Sequence, residues 1–303
     1  MNPKIFLYWY KIDNKSINFG DELSYYIISK LSGCTIERKL IPSHGFDYLY
    51  QCIKRIYRRE ISLNLIPILL KQFFINKFVV GIGSILPLIN NSKSKIWGSG
   101  IISKKDNVQI SNIYAVRGKY TQKRLEELNL NVPNVIGDPA LLLPVVYPII
   151  PKDKFRLGII PHYTQYNKIY GKLQNNIDMQ IIDMTKPVEE VIESITSCKY
   201  TISTSLHGII VSHAYQIPCL WYYLPNNQLA GDDVKFYDYF SSVEIKEYLP
   251  FALDLDNFNI NNIIEMIESL FHQSKINNSL HKIQKDLISV APFNVEDKYR
   301  LLL

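Results

Sequence analysis

Apolar residues along this chain alternate between short continuous runs and stretches spaced three and four apart. That alternation predicts an α/β fold. Residues 5–10 are a compact apolar run and predict a first strand. A polar, glycine-containing turn follows over 14–21, and residues 22–31 place Leu23, Ile27, Ile28 and Leu31 on one helical side. Strand, loop and helix in this order open a doubly wound unit. Further buried strands are predicted at 78–83 (FVVGIG), 95–98 (KIWG) and 113–116 (IYAV), with a helix over 121–128. Each strand ends in glycine or a loop residue, as a strand-to-helix turn requires where backbone approaches a ligand. Val135 and Ile136 then run into Gly137-Asp138-Pro139, a strong break.

Pro144, Pro148 and Pro151 crowd the next stretch and read as an extended linker. This divides the chain into residues 1–147 and 148–303. The pattern then restarts, with strands at 156–160, 180–183, 200–203 and 219–223 and helices at 188–197 and 206–215. Terminal helices are expected at 260–271 and 277–288. The expectation is two doubly wound, Rossmann-like domains facing a cleft at their strand C-terminal ends. A helical insertion at about 50–76 interrupts the first. It carries Lys54, Arg55, Arg58 and Arg59, then a run over 61–74 in which only Lys71 is charged. A basic, apolar helix of this kind suits an anionic membrane surface, and it equally suits a packed insertion with a solvated basic end.

Length and composition narrow the class. A chain of 303 residues, 47% hydrophobic and 20% charged, can bury a sizeable core, which excludes global disorder. A net charge of +6 is too modest for a dedicated nucleic-acid binder but suits anionic partners. The 21 tyrosines offer flat amphipathic surfaces for sugar rings, as well as ordinary core and rim packing. Cys34, Cys52, Cys198 and Cys219 are widely spaced and form no CxxC pair, so isolated buried thiols are expected rather than a zinc site or disulfides. The N-terminal apolar run reads as a strand, not a signal peptide, and no stretch reaches the length of a transmembrane helix. A cytoplasmic protein is expected, or one peripheral at the inner face of the cytoplasmic membrane.

Candidate chemistry falls at the strand ends. Asn18-Phe19-Gly20-Asp21 follows the first strand and opens a helix, where Asp21 either orients a hydroxyl or caps. Arg117, with Gly118 and Lys119, ends another strand. An arginine there binds a carboxylate or phosphate, or makes an interdomain salt bridge. Asp138 either contacts an acceptor sugar or caps the following turn. His207 follows strand 200–203 at a helix start, the position of a general acid or base, with Ser203, Thr204 and Ser205 as hydroxyls around the same helix end. His213 reads as packing.

The ordered set NFGD, GSG, VRGKYT, VIGDPALLLP, TSLHGIIVSHAYQIP and KFYDYFSSV resembles the polysaccharide pyruvyl transferase family over about residues 18–243. The resemblance implies a GT-B-like fold. It also implies transfer of a pyruvyl group from phosphoenolpyruvate to two sugar hydroxyls as a cyclic ketal. The acceptor would be a bacterial capsular polysaccharide, exopolysaccharide or cell-wall glycan, or its lipid-linked precursor, with no metal or other cofactor. By the same resemblance, Asp21, Arg117 and His207 match the family's aspartate, arginine and histidine, with His207 and Asp21 expected as the catalytic pair and Arg117 as donor anchor. Read from their places at the strand ends, Lys119, Ser205, Leu206, Gly208, Lys235 and His162 are further donor candidates, and Asp138 and Asn18 acceptor candidates. Many members have arginine where this chain has Ser205; Lys235 or Lys119 then supplies the missing charge.

Two other readings share the architecture. A nucleotide-sugar glycosyltransferase would use Tyr222 or Tyr223 for base stacking and Asp232 or Asp233 for the ribose. A non-catalytic glycan binder would have lost its donor site at Ser205, although Asp21, Arg117 and His207 are retained.

Overall fold

A computed structural model of the chain describes residues 3–11, 18–110, 112–227, 229 and 231–303. Of the polar turn expected at 14–21, residues 14–17 lie outside the described set. The first half runs β1 (Lys4–Tyr8), α1 (Phe19–Ser32), β2 (Thr35–Arg38), α2 (Gly45–Tyr57), α3 (Ile66–Gln72), β3 (Val79–Val80), β4 (Lys95–Trp97), β5 (Ile113–Val116), α4 (Lys119–Glu127), β6 (Val135–Ile136), a 3-10 helix (Pro139–Leu142) and α5 (Leu143–Val146). The second half runs β7 (Phe155–Ile160), α6 (Tyr166–Leu173), β8 (Met179–Ile181), α7 (Val188–Thr196), β9 (Cys198–Ser203), α8 (Leu206–Ala214), β10 (Cys219–Tyr223), α9 (Val234–Ser242), β11 (Phe251–Ala252), α10 (Ile260–Ser269), α11 (Leu280–Ser289) and α12 (Asp297–Arg300).

The strands form two sheets, β2-β1-β3-β4-β5-β6 and β11-β10-β9-β7-β8. Every strand pair is parallel. This is the α/β fold that the sequence pattern predicts. Parallel sheets need helices on their faces, and the strands accordingly carry long buried apolar runs such as Leu157–Ile160.

Between the sheets runs one continuous core. It joins Leu7 and Trp97 of the first sheet to Ile160 and Cys198 of the second through α1, α7 and α8. The amide of Phe19, at the start of α1, donates to the Met184 carbonyl in the second half (2.9 Å). Tyr26 donates its hydroxyl to Glu189 (2.7 Å). The chain end returns to the first sheet, where the Trp97 indole donates to the Leu287 carbonyl in α11 (2.9 Å). The four cysteines are unpaired; Cys52, Cys198 and Cys219 are buried and Cys34 half-buried.

The segment expected as one helical insertion is two helices. Arg59 takes a left-handed conformation (φ 56°) that ends α2, and Pro67 sits in the first turn of α3, where its fixed φ is tolerated. Beneath them Tyr48, Cys52, Ile61 and Leu69 bury against Leu40 and Ile41.

His213 is a core residue. Its Nδ1 lies 3.0 Å from the Tyr239 hydroxyl and its Nε2 lies 3.2 Å from the Cys219 carbonyl. Burial holds its pKa down at about 4. Between pH 6.5 and 4 the unfolded chain takes up a proton here that the folded protein does not. Stability is therefore fully present above pH 6.5 and lost as pH falls toward 4, by up to ~3 kcal/mol from this group. Denaturant titrations at pH 7 and pH 5 should show a smaller acid loss for His213→Gln than for the parent. Subtracting one from the other cancels the contributions of other groups.

Candidate functional site

A cavity of about 470 Å³ opens where strand ends and helix starts of both sheets meet. The first sheet contributes Tyr10 and Lys11 after β1, Asn18, Asp21 and Glu22 at the start of α1, and Gly83 and Ser84 after β3. The second contributes His162 and Tyr163 after β7, Thr204, Ser205, Leu206 and His207 at the β9–α8 turn, and Lys235 in α9. The starts of α1 and α8 thus share one cavity. Helix N-termini carry partial positive charge, so together with Lys235 they favour an anion.

His207 is seated by close packing. A Cβ on Gly20 would overlap His207 Nδ1, so only glycine at the second residue of α1 admits the ring. The glycine of the NFGD motif and the histidine of the LHG motif are therefore one construction. On the ring's other side, Nε2 stands 3.9 Å from Asp138 Oδ2, and neither buried atom has a hydrogen-bond partner. Asp138 is fully buried, and its Oδ1 accepts from the Ala140 amide (2.9 Å), capping the 3-10 helix. Burial, then the Arg117 and Lys235 charges, lowers the His207 pKa to about 3. Burial raises Asp138 to about 6 and Asp21 to about 7. The cavity wall therefore holds a neutral imidazole at His207 and, at Asp21, a carboxyl group that is partly protonated near neutrality.

Asn18, Asp21, His162, Ser205, Leu206, His207 and Lys235 are brought together on the cavity wall. Asn18 Oδ1 also caps α1 by accepting from the Gly20 amide (3.2 Å). The His162 amide donates to Thr204 Oγ1 (2.7 Å), which in turn donates to Gln165 (2.6 Å). This ties the β7 and β9 turns together. Burial, then the Lys235 charge, lowers the His162 pKa to about 4. Burial, then the Arg117 charge, lowers that of Lys235.

Four other candidates stand off the wall. Gly208 is the third residue of α8, backed by Ser203 and Ile160. Lys119 opens α4, and its amide donates to Ser241 (2.9 Å). Asp138 stands behind His207, on the side where its Nε2 is buried. Arg117 is fully buried and its guanidinium is already occupied. Nε donates to Asp238 (3.0 Å), Nη1 to the Ser84 hydroxyl (2.6 Å) and Nη2 to the Ile101 carbonyl (2.6 Å). Of the two readings of this arginine, the geometry here is the salt bridge between the halves.

Sequence reasoning did not pick out Ser84, Lys11, Glu22 or Tyr163. Each follows a strand or opens a helix, and the strand-end rule applied to every turn would have found them. Lys11 pairs with Glu22 (2.8 Å). The residues read for a nucleotide sugar do not gather here. Tyr222 is buried in β10, and Asp232 accepts from Ser103 and the Lys104 amide.

Parallel α/β sheets whose strand ends frame a cavity with two helix N-termini, a lysine and a neutral histidine make a site whose chemistry suits an anionic ligand. Residues 18–226, more than half of the chain, match the family model for polysaccharide pyruvyl transferase, and the chain belongs to that family. It is also similar to a protein of Acanthamoeba polyphaga mimivirus named Uncharacterized protein L143. The two are 27% identical over 223 residues, which cover 69% of this chain and 78% of that one. Membership makes the protein a transferase enzyme and disfavours both the nucleotide-sugar reading and the non-catalytic one.

Proposed function

We propose that this enzyme transfers the pyruvyl group of phosphoenolpyruvate to a pair of hydroxyls on a surface polysaccharide or its lipid-linked precursor, forming a ketal. The observation that carries the reading is the shared cavity in which the starts of α1 and α8, Lys235 and His207 meet. Phosphoenolpyruvate presents a carboxylate and a phosphate, and the helix ends and Lys235 are groups that hold such anions. Lys235 takes the place of the arginine that Ser205 replaces. In this reading the halves 1–147 and 148–303 work as two doubly wound units in a GT-B-like arrangement, in the cytoplasm.

The separated pKa values divide the labour. Asp21, at about 7, is partly protonated at neutral pH, and its protonated form delivers a proton to the methylene carbon, turning it into a methyl group. The first sugar hydroxyl attacks the cationic C2, and neutral His207 takes its proton. The second hydroxyl attacks C2 as the C–O bond to phosphate breaks; its proton returns to Asp21, and His207 gives the proton it took to the departing phosphate. Two C–O bonds form and one breaks. Asp138, behind the ring, orients His207 rather than touching sugar.

The test is thermal unfolding with phosphoenolpyruvate against a panel of nucleotide sugars. A ligand that binds only the folded form raises Tm, by ~2.7 kcal/mol of stabilisation at a hundredfold excess over Kd. The expected result is a shift with phosphoenolpyruvate that is lost in Lys235→Ala. A shift with a nucleotide sugar alone overturns the donor assignment.

A further inference from the structure

The outer face of α2 is apolar. Phe46, Leu49, Tyr50, Ile53 and Tyr57 are all exposed and lie three or four residues apart, so they form one stripe. The opposite face, with Tyr48 and Cys52, is the one buried against the protein. Ile66 and Leu70 of α3 and Phe74 just beyond it repeat the pattern at four-residue spacing. Phe46 is 91% exposed, Tyr57 88% and Phe74 82%, so these side chains are held out from the protein rather than folded onto it. A patch of this extent marks a surface that meets something apolar.

Charge selects the occupant. Residues 44–77 carry Lys54, Arg55, Arg58, Arg59, Lys71 and Lys77 against Asp47 and Glu60, so most of the chain's net charge of +6 sits in this segment. A second copy docked isologously would bring the same cations face to face, a repulsive arrangement. An anionic bilayer accepts both features, since aromatic and aliphatic side chains enter the interface while lysine and arginine reach the headgroups. The polar side of α2, next to the stripe, faces toward the candidate site. A second cavity of about 450 Å³, lined from α2 by Gln51, Lys54 and Arg55, meets the first at Tyr10, Pro87 and Leu88. We propose that the α2–α3 segment docks this protein on an anionic lipid bilayer, with its outer stripe in the interface and the mouth of the site beside the membrane surface. Among the described residues no helix is long and apolar enough to cross a membrane, so α2 and α3 do not span it.

The experiment is co-sedimentation of the full chain with vesicles of phosphatidylglycerol and phosphatidylcholine, and with phosphatidylcholine alone. The expected result is partition onto the anionic vesicles that weakens with salt. It should fall by at least about tenfold both in Ile53→Ser/Tyr57→Ser and in Arg58→Glu/Lys71→Glu. Tm should be unchanged in both variants, because the substituted side chains are exposed. Equal partition onto both vesicles, or none, overturns the proposal. So does a dimer in analytical ultracentrifugation that Ile53→Ser/Tyr57→Ser converts to monomer, which would give the face to a second copy. None of these outcomes depends on the donor, so the phosphoenolpyruvate shift fails or succeeds separately.

Discussion

His207→Ala is expected to lower turnover by about 10²–10⁴-fold, the usual contribution of a positioned acid or base, while the protein stays folded. Folding should survive because the ring borders a cavity and its buried Nε2 makes no hydrogen bond that the substitution would break. Phosphate release from phosphoenolpyruvate in the presence of acceptor measures the first part, and Tm the second. A companion variant guards against a trivial loss. Gly20→Ala adds a single methyl group where it would overlap His207 Nδ1, and it changes no chemical group. If His207 acts from its seat against α1, Gly20→Ala should also lose most activity, with kcat falling more than KM rises. Full activity in His207→Ala would remove the residue from the mechanism. Full activity in Gly20→Ala alone would show that the ring works from another position.

How this site could be read from sequence depends on what kind of contact builds it. Local signals were sufficient for the parallel α/β alternation. Residues 113–116 form β5 as expected, and the β9–α8 turn puts His207 at a strand end because the apolar period changes there. Two short elements escaped or shrank. Thr35–Arg38 is brief and partly polar, so nothing in its pattern announces β2. The run FVVGIG yields only Val79–Val80, since Gly83 turns the chain at φ 116°. The region about 50–76 is apolar on two faces, and a periodicity reading cannot choose which face is buried. Contacts distant in sequence were out of reach. Nothing near Gly20 announces that His207 will rest on it, and nothing near Asp138 announces the imidazole 3.9 Å away. Such pairs depend on how the two sheets pack, which no local pattern encodes.

Arg117 is the sharpest case, because its sequence context serves a donor anchor and a salt bridge equally. Arg117→Ala is expected to destabilise the fold by about 3–5 kcal/mol, and Asp238→Ala by a similar amount, because each leaves its partner charged and buried. Both side chains are fully buried, and they join the turn after β5 of the first sheet to α9 of the second half. Asp238 has further obligations. Its Oδ1 accepts from the Thr121 amide (2.9 Å), and its Oδ2 accepts from the Thr121 hydroxyl (2.7 Å) as well as from Arg117. The backbone is equally close, since a Cβ on Gly118 would overlap the Asp238 carbonyl oxygen. Removing both charges in Arg117→Ala/Asp238→Ala leaves no unpaired ion, so the double variant should lose less than the two single losses combined. Chemical denaturation of the four proteins measures this coupling directly. An arginine that anchored the donor would behave differently: stability would hold, and the phosphoenolpyruvate KM alone would rise. The occupied guanidinium predicts the first pattern. Activity should then fall through the Ser84 contact and the Lys235 and His207 environment that the buried charge shapes, rather than through a lost bond to substrate.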